Sequence, residues 1–359
     1  MIGVGALLLY LAIEKNFEPN LLLAMGFGTI LANLPMSSAL DQTVGGEVLE
    51  GALSLLFNAG VANELFPLLI FIAVGAMCDF TPLISNPRMF IFGLTAQVGI
   101  FLTMGVAILL GFDIKEAASI GIIGAADGPT AIYVANRFAQ HLFAPISVAA
   151  YTYMAMVPLI QPPVIKLMTT KKERAMSMTY VERPVSRRTL ILFPIAVTAA
   201  AGLIAPASVA LIGFLMFGNL LRVSGVTDRL SQAAQNELAN IVTILLGLAI
   251  SRKMTGPEFA NAKTLLIVGM GLFAFVFDTV GGVLSAKLLN IFLPEGSKVN
   301  PMIGAAGISA FPMASRVTQR LGQEANRGNF LLMHAVGANV AGQIGSVIAG
   351  GVLLAWLGG

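Results

Sequence analysis

Inside a lipid bilayer no water satisfies a stray backbone N–H or C=O, so a helix-breaking segment survives there only where protein or a water-filled cavity surrounds it. This chain carries two such segments, and they match. "IGAADGPTAIYVANR" (Ile123 to Arg137) and "IGAAGISAFPMASR" (Ile303 to Arg316) align with one gap, opposite Asp127, and eight of the fourteen paired positions are identical. Each sets Gly and Pro into apolar surroundings and each ends in Arg. Gly/Pro interruptions at corresponding positions of two halves mark transporters built from inverted repeats, whose broken helices meet near the bilayer midplane. The competing account is chance similarity between Ala- and Gly-rich stretches.

The rest of the chain provides the bilayer context. It is 57% hydrophobic and 11% charged, where a soluble domain carries about 25% charged residues. Apolar runs extend from Leu21–Leu34 to Phe330–Trp356, and a crossing needs about 20 such residues. Thr264–Val280 and Val283–Phe292 read as separate runs, and several of the runs are too short or too interrupted to cross alone. The fold expected is therefore all-α and polytopic: about ten transmembrane helices in two inverted repeats, with broken or re-entrant segments. The N-terminal "MIGVGALLLYLAI" lacks a basic leader and reads as a short first helix. Cys78, alone in an apolar run, reads as a buried packing residue.

The longest polar stretch is "KLMTTKKERAMSMTYVERPVSRR", Lys166 to Arg188. Seven basic residues there face Glu173 and Glu182, and short loops this basic stay cytoplasmic. A solvated face with no other role is the plainer reading. The stretch divides the chain into a first membrane repeat (1–170), a basic loop (171–188) and a second repeat (189–359), one broken segment in each repeat. The net charge of +3 reflects such loops, not nucleic-acid binding.

Asp127 is the sharpest residue. An acid inside an apolar run is costly and marks function by default. Gly124, Gly128 and Pro129 break the helix around it and free backbone carbonyls, and carbonyls with one carboxylate suit a hard cation. Thr130 adds a hydroxyl. "DGPT" is also a helix-start signature with Asp as the cap, and both roles are compatible. The second copy supplies Asn300, placed before Pro301 to cap a helix, together with Gly304, Ser309 and Arg316. Arg316 suits a bidentate carboxylate partner or snorkels to the interface; Arg137 reads as a snorkelling residue.

Each copy is followed by another polar helix. "AAYTYMAMVPLIQPP" carries Tyr151, Tyr153 and Gln161; "HAVGANVAGQIGS" carries His334, Asn339, Gln343 and Ser346. The last three are spaced by four and three, so they share one helix face, as ligands or as interhelical glue. Tyr153 is a proton relay or an interface anchor. Asp278, inside an apolar run, is a second ion ligand or a helix-end cap, and the cap is the simpler reading. Asp79 also reads as a cap. Two histidines and one cysteine make no metal cluster of recognised spacing.

At "GIIGAADGPTAIYVANR", "AAYTYMAMVPLIQPP", "NPMIGAAGISAFPMASR" and "NFLLMHAVGANVAGQIGS" the chain closely resembles the β subunits of sodium-pumping biotin-dependent decarboxylases, which act in oxaloacetate, methylmalonyl-CoA, glutaconyl-CoA and malonate complexes. The resemblance runs over nearly the whole chain. The stretch around Met36–Ala62 is shorter than in oxaloacetate-type subunits, and Asp278 lies outside the family motif. The resemblance implies that a carboxyltransferase subunit moves CO2 onto biotin on a carrier. This subunit then decarboxylates carboxybiotin and exports Na+ across the cytoplasmic (inner) membrane of a prokaryote, consuming a proton. It implies Asp127, Tyr153 and Arg316 as catalytic residues, and Arg316, Ser309 and Gly304 around carboxybiotin. Asp127, Asn300, Ser309 and Asn339 would surround Na+. Biotin is presented by a partner and not attached here. A small single-span subunit and further copies of this chain are implied partners. The other class consistent with the residues is a sodium-coupled secondary carboxylate transporter with inverted repeats.

Overall fold

A computed structural model describes residues 1–180, 184–259 and 261–358; Glu182 and Arg183 of the basic stretch lie outside them. The principal helices are α1 (Ile2–Lys15), α2 (Pro19–Ala32), α3 (Leu65–Met77), α4 (Val98–Leu109), α5 (Ile114–Gly121), α6 (Gly128–Phe138), α7 (Phe143–Met168), α8 (Arg187–Ile204), α9 (Val209–Val223), α10 (Ala239–Ser251), α11 (Ala262–Phe292), α12 (Met313–Ala325) and α13 (Leu332–Leu357). One small hairpin, Gln42–Val44 with Glu47–Leu49, turns on Gly45 and Gly46, both at positive φ, as tight hairpins require. The chain is otherwise all-α.

Among the described residues seven helices are long and apolar enough to cross a membrane; the bent pair Ala52–Val61 and Leu65–Met77, angled at 61°, makes an eighth if it is one span. That compares with the ten or so expected. Part of the difference is α11. Its "VGGV" separates two apolar runs in the sequence, yet the helix passes straight through. Gly282 is there for close approach, not for a break: a Cβ on it would lie 2.1 Å from the Gly304 carbonyl oxygen.

Two neighbours of α11 set the frame. Tyr153 on α7 donates to the Val268 carbonyl, and beyond the far end of α7 Glu173 pairs with Lys287 at 2.9 Å. Helices α7 and α11 therefore run parallel. Helix α4 runs antiparallel to α11, with Gly99 against Asp278 and Thr95 against Gly281. The basic loop thus lies at the C-terminal ends of α7 and α11. At the opposite end Glu116 binds His141 at 2.6 Å and Lys263 at 3.5 Å. The loop is more than a solvated face. Thr170 caps the turn Lys171–Arg174, and the Asn300 and Asn329 amides both donate to the carbonyls of Arg174 and Met176. Cys78 is fully buried, and Asp79 Oδ1 accepts from Thr81 N at 2.9 Å one residue ahead of Phe80, the N-cap of the short helix Thr81–Ser85.

Candidate functional site

The first broken segment begins as α5, nucleated by a capping box of Asp113 and Glu116. It tightens into a 3-10 turn at Ile122–Ala125, and Ala126 turns left-handed at φ 53°. Asp127 is extended, and α6 restarts behind it with Pro129 in its first turn, where a missing N–H does no harm. Every residue from 121 to 136 is buried. The second segment is one helical turn, Met302–Ala305, then an irregular stretch that crosses a cis Phe311–Pro312 bond into α12. Asn300 Oδ1 accepts from Met302 N at 3.0 Å, the cap its position before Pro301 suggests.

The two breaks touch. Ser309 N donates to the Ala125 carbonyl at 3.0 Å. Helix α13 lies across both. Its Asn339 donates to the Ile308 carbonyl at 2.6 Å, its Gln343 to the Ser309 carbonyl, and its Ser346 to Asp127 Oδ2 at 2.9 Å. Ser309 returns a bond from its hydroxyl to the Gly342 carbonyl at 2.9 Å. One face of α13 thus reads the second break and then the first. In hydrocarbon these bonds replace the water that the broken backbone lacks.

Asp127 does cap α6: Thr130 Oγ1 donates to Oδ2 at 2.6 Å, and Thr130 N lies 3.4 Å from Oδ1. The carboxylate sits at the positive end of α6, which favours its charge. No basic side chain pairs with it among the described residues. A buried carboxylate ringed by two hydroxyls and a broken backbone is a hard-oxygen setting for a monovalent cation. The hydroxyls that donate to Oδ2 can also turn their lone pairs to such an ion. Buried oxygens that lack any hydrogen-bond partner among the described residues include Asn339 Oδ1, Gln161 Oε1 and Tyr151 Oη. Gln161 Nε2 meanwhile holds the Ala305 carbonyl at 2.7 Å, so α7 too is tied to the second break.

The remaining expected residues are more dispersed. Tyr151, rather than Tyr153, sits beside the Asp127 turn: a Cβ on Gly128 would lie 2.4 Å from Tyr151 Cζ. Gly304 is packed backbone to backbone on α11, where an added Cβ would fall 1.8 Å from the Gly282 oxygen. Asn300 is fully buried, and its amide is committed to the basic loop. Arg316 is exposed on the first turn of α12 and pairs with no carboxylate among the described residues.

Two sequence readings change. Arg137 does not merely snorkel. Its Nε and Nη2 bind Glu64 Oε1 and Oε2 at 2.5 and 3.1 Å, a bidentate pair at the bend before α3. Asp278 does not cap the end of its own helix. It lies in the middle of α11 and caps another, accepting at Oδ1 from Ile100 N in the first turn of α4 at 3.2 Å. Sequence spacing reveals neither, because both partners come from distant parts of the chain.

The family model described as "Na+-transporting oxaloacetate decarboxylase beta subunit" matches residues 1–357. The chain belongs to that family. It is 52% identical over 357 residues to the methylmalonyl-CoA decarboxylase subunit beta of Veillonella parvula, covering 99% of this chain and 92% of the relative. It is 50% identical over 359 residues to the glutaconyl-CoA decarboxylase subunit beta of Acidaminococcus fermentans, covering 100% and 93%. To the oxaloacetate decarboxylase beta chain of Klebsiella pneumoniae it is 43% identical over 411 aligned positions, covering 99% and 94%. That alignment is longer than the 359 residues here, so the oxaloacetate-type chain carries insertions relative to this one. The protein is a multi-pass membrane subunit of a Na+-transporting decarboxylase.

Proposed function

We propose that this subunit decarboxylates carboxybiotin delivered by a partner carrier and uses the reaction to export Na+, with uptake of a proton. The observation that carries the reading is the Asp127 site: a buried carboxylate, at a junction of two broken segments, with hydroxyl neighbours and no basic partner. Such a site needs a mobile cation to balance its charge. Membership of the decarboxylase family supports Na+ as that cation.

Na+ enters at Asp127 between the breaks, with Ser346 and Thr130 as neighbouring oxygens and Asn339 and Ser309 on the same crossing. Arg316, exposed at the second break, receives a carboxylate; a carboxylated ureido nitrogen of biotin supplies one, and its loss as CO2 leaves an anion that takes up a proton. A proton reaching the site and Na+ compete for the same negative charge, so proton arrival expels the ion. The basic loop, stapled to the second break by Asn300, faces the cytoplasm and the soluble carrier and carboxyltransferase. The two halves, 1–170 and 189–359, act as inverted repeats around the junction. A small single-span subunit and further copies of this chain complete the complex in the cytoplasmic membrane of a prokaryote.

The test is decarboxylation of free carboxybiotin by the purified complex at varied Na+. Activity that rises with Na+ and saturates supports the pump. Na+-driven carboxylate uptake without decarboxylation would instead identify a secondary transporter.

A further inference from the structure

The Asp127 site leaves one buried acid unused. Asp278 lies in the middle of α11 and is fully buried. Its Oδ1 caps α4 through Ile100 N at 3.2 Å. Its Oδ2 is buried and has no hydrogen-bond partner among the described residues. What Oδ2 faces is the first broken segment: a Cβ on Gly124 would lie 2.4 Å from it, and the next nearest atoms belong to Ala274. Oδ2 therefore presses on the turn that ends, three residues later, in Asp127.

We propose that Asp278 is a proton-binding site coupled to Asp127, carrying a proton on Oδ2 in one state of the transport cycle and ionised in the other. This rests on the reading of Asp127 as the Na+ site. The ligand is a proton for two reasons. A metal ion needs several oxygen ligands, whereas Oδ2 has no hydrogen-bond partner among the described residues and lies 2.4 Å from where a Cβ on Gly124 would sit. An ionised carboxylate oxygen buried without a partner is strongly disfavoured, so a proton is its cheapest neutraliser. When the proton leaves, the charge is carried at the positive end of α4. Bond changes are confined to one O–H, broken or formed at Oδ2.

The electrostatic surroundings make the coupling specific. Helix α4 carries no ionisable side chain, and the Phe90–Thr95 helix before it carries none either. The break itself, residues 122–127, contributes only Asp127, while α5 before it carries Lys115 and Glu116 at its start. Helix α7 contributes Tyr151 and Tyr153 at this depth, and Tyr153 is bonded to Val268 on α11 itself. Asp127 lies three residues beyond Gly124, against which Oδ2 sits, so the two acids are joined through one turn. Negative charge on both is opposed, so Na+ at Asp127 releases the proton from Asp278, and loss of Na+ restores it. A second orphan oxygen, Thr103 Oγ1, is buried without a partner on the same face of α4. It lies about one turn closer than Ile100 to the end bearing Glu116, His141 and Lys263. That places the proton's approach on the face opposite the basic loop.

The experiment is pH-difference infrared spectroscopy on the intact complex, beside turnover at varied Na+. A protonated-carboxyl C=O band is expected that disappears in Asp278→Asn and titrates at lower pH when Na+ is added. Turnover in Asp278→Asn should fall by about a hundredfold, the lower range for losing one proton-transfer group, and the Na+ needed for half-activation should rise and lose its pH dependence, because coupling between two sites is reciprocal. A band that persists in Asp278→Asn, or that ignores Na+, overturns the proposal. So does wild-type turnover with an unchanged Na+ requirement, which would leave Asp278 as a cap that Asn replaces. If Asp278→Asn does not assemble, Asp278→Glu must shift the band, and an unshifted band is equally fatal. A wild-type complex without Na+ activation would sink the pump reading, while the pH spectra would still decide whether Asp278 binds a proton.

Discussion

Ser346 Oγ stands 2.9 Å from Asp127 Oδ2 across 219 positions of sequence. The bond joins the last long helix to the first broken segment. It completes a row in which Asn339, Gln343 and Ser346, on one face of α13, hold Ile308, Ser309 and Asp127 in turn. The interhelical-glue reading and the ligand reading of this face are therefore not rivals. The same side chains that satisfy broken backbone also set the direction of the Asp127 carboxylate.

Ser346→Ala removes one donor from that carboxylate. A hydrogen bond to a charged group is worth about 1.5–3 kcal/mol, so the carboxylate should lose its fixed direction while Thr130 still holds it. The Na+ concentration for half-maximal activity should rise about tenfold, which corresponds to about 1.4 kcal/mol, with assembly intact. An unaltered Na+ curve would mean that the bond serves packing alone.

Gly304→Ala should prevent correct packing of α11 against the second break. The added Cβ would fall 1.8 Å from the Gly282 oxygen, a backbone atom with no flexible end to yield. Overpacking usually costs about 1–3 kcal/mol, and a backbone clash this close belongs at or beyond the upper end. The control is Gly269→Ala in the same helix, where nothing lies within 4 Å of the new Cβ; Ala there should be neutral or stabilising. Thermal unfolding of the detergent-solubilised complex separates the two, and equal melting temperatures would contradict the close-contact account.

Much of this was legible in the chain itself. Gly and Pro inside apolar runs can be seen without a structure, because hydrocarbon leaves few settings for broken backbone; so can Asp127 as a cap, Asn300 before Pro301, and the shared face of α13. The partners of side chains that reach across the fold could not be read. The Arg137–Glu64 pair links segments 73 residues apart, and Asp278 caps a helix 178 residues away. Gly281–Gly282 misled for a related reason: glycine marks either a break or a close approach, and only the neighbouring backbone of Gly304 distinguishes them. Tyr151 and Tyr153 lie two residues apart on one helix and so point in different directions. Choosing between them requires knowing what packs on each.

Arg137→Lys should loosen the bend before α3. Lysine keeps the charge but loses the fork that engages both oxygens of Glu64. The Arg137 side chain is 57% exposed, so the loss should stay near the surface-pair range of up to about 1 kcal/mol. A melting-temperature drop of about one degree with unchanged Na+ activation is the expected result. A change in Na+ response instead would place the bend in the transport pathway.

Thr179→Cys tests the orientation. The residue is exposed, in a cavity of about 640 Å³ with His334 and Lys298 on the basic-loop side. In intact cells a membrane-impermeant thiol reagent should leave it unmodified, and in inside-out vesicles it should react. Cys78 is fully buried and so contributes little background. Labelling from outside would invert the whole assignment of sides.

Asp127→Asn should abolish Na+-coupled decarboxylation while the subunit still inserts and assembles. Asn accepts from Thr130 and Ser346 almost as the carboxylate does, and it caps a helix about as well, so the fold around the break survives. What disappears is the charge that attracts Na+ and for which a proton competes. Removing the charged partner of a desolvated ion costs about 3–5 kcal/mol, which puts Na+ affinity beyond reach at ordinary concentrations. Asp127→Glu keeps the charge on a longer arm in a wholly buried segment; it should bind Na+ more weakly yet turn over at high Na+. The ordering wild type, then Glu, then Asn in Na+ activation is what an ion site requires. A cap alone requires the opposite: Asn near wild type and Glu impaired, because the longer side chain is the poorer cap. Measuring Na+ activation of the two variants in one purified preparation therefore separates the roles that the geometry combines.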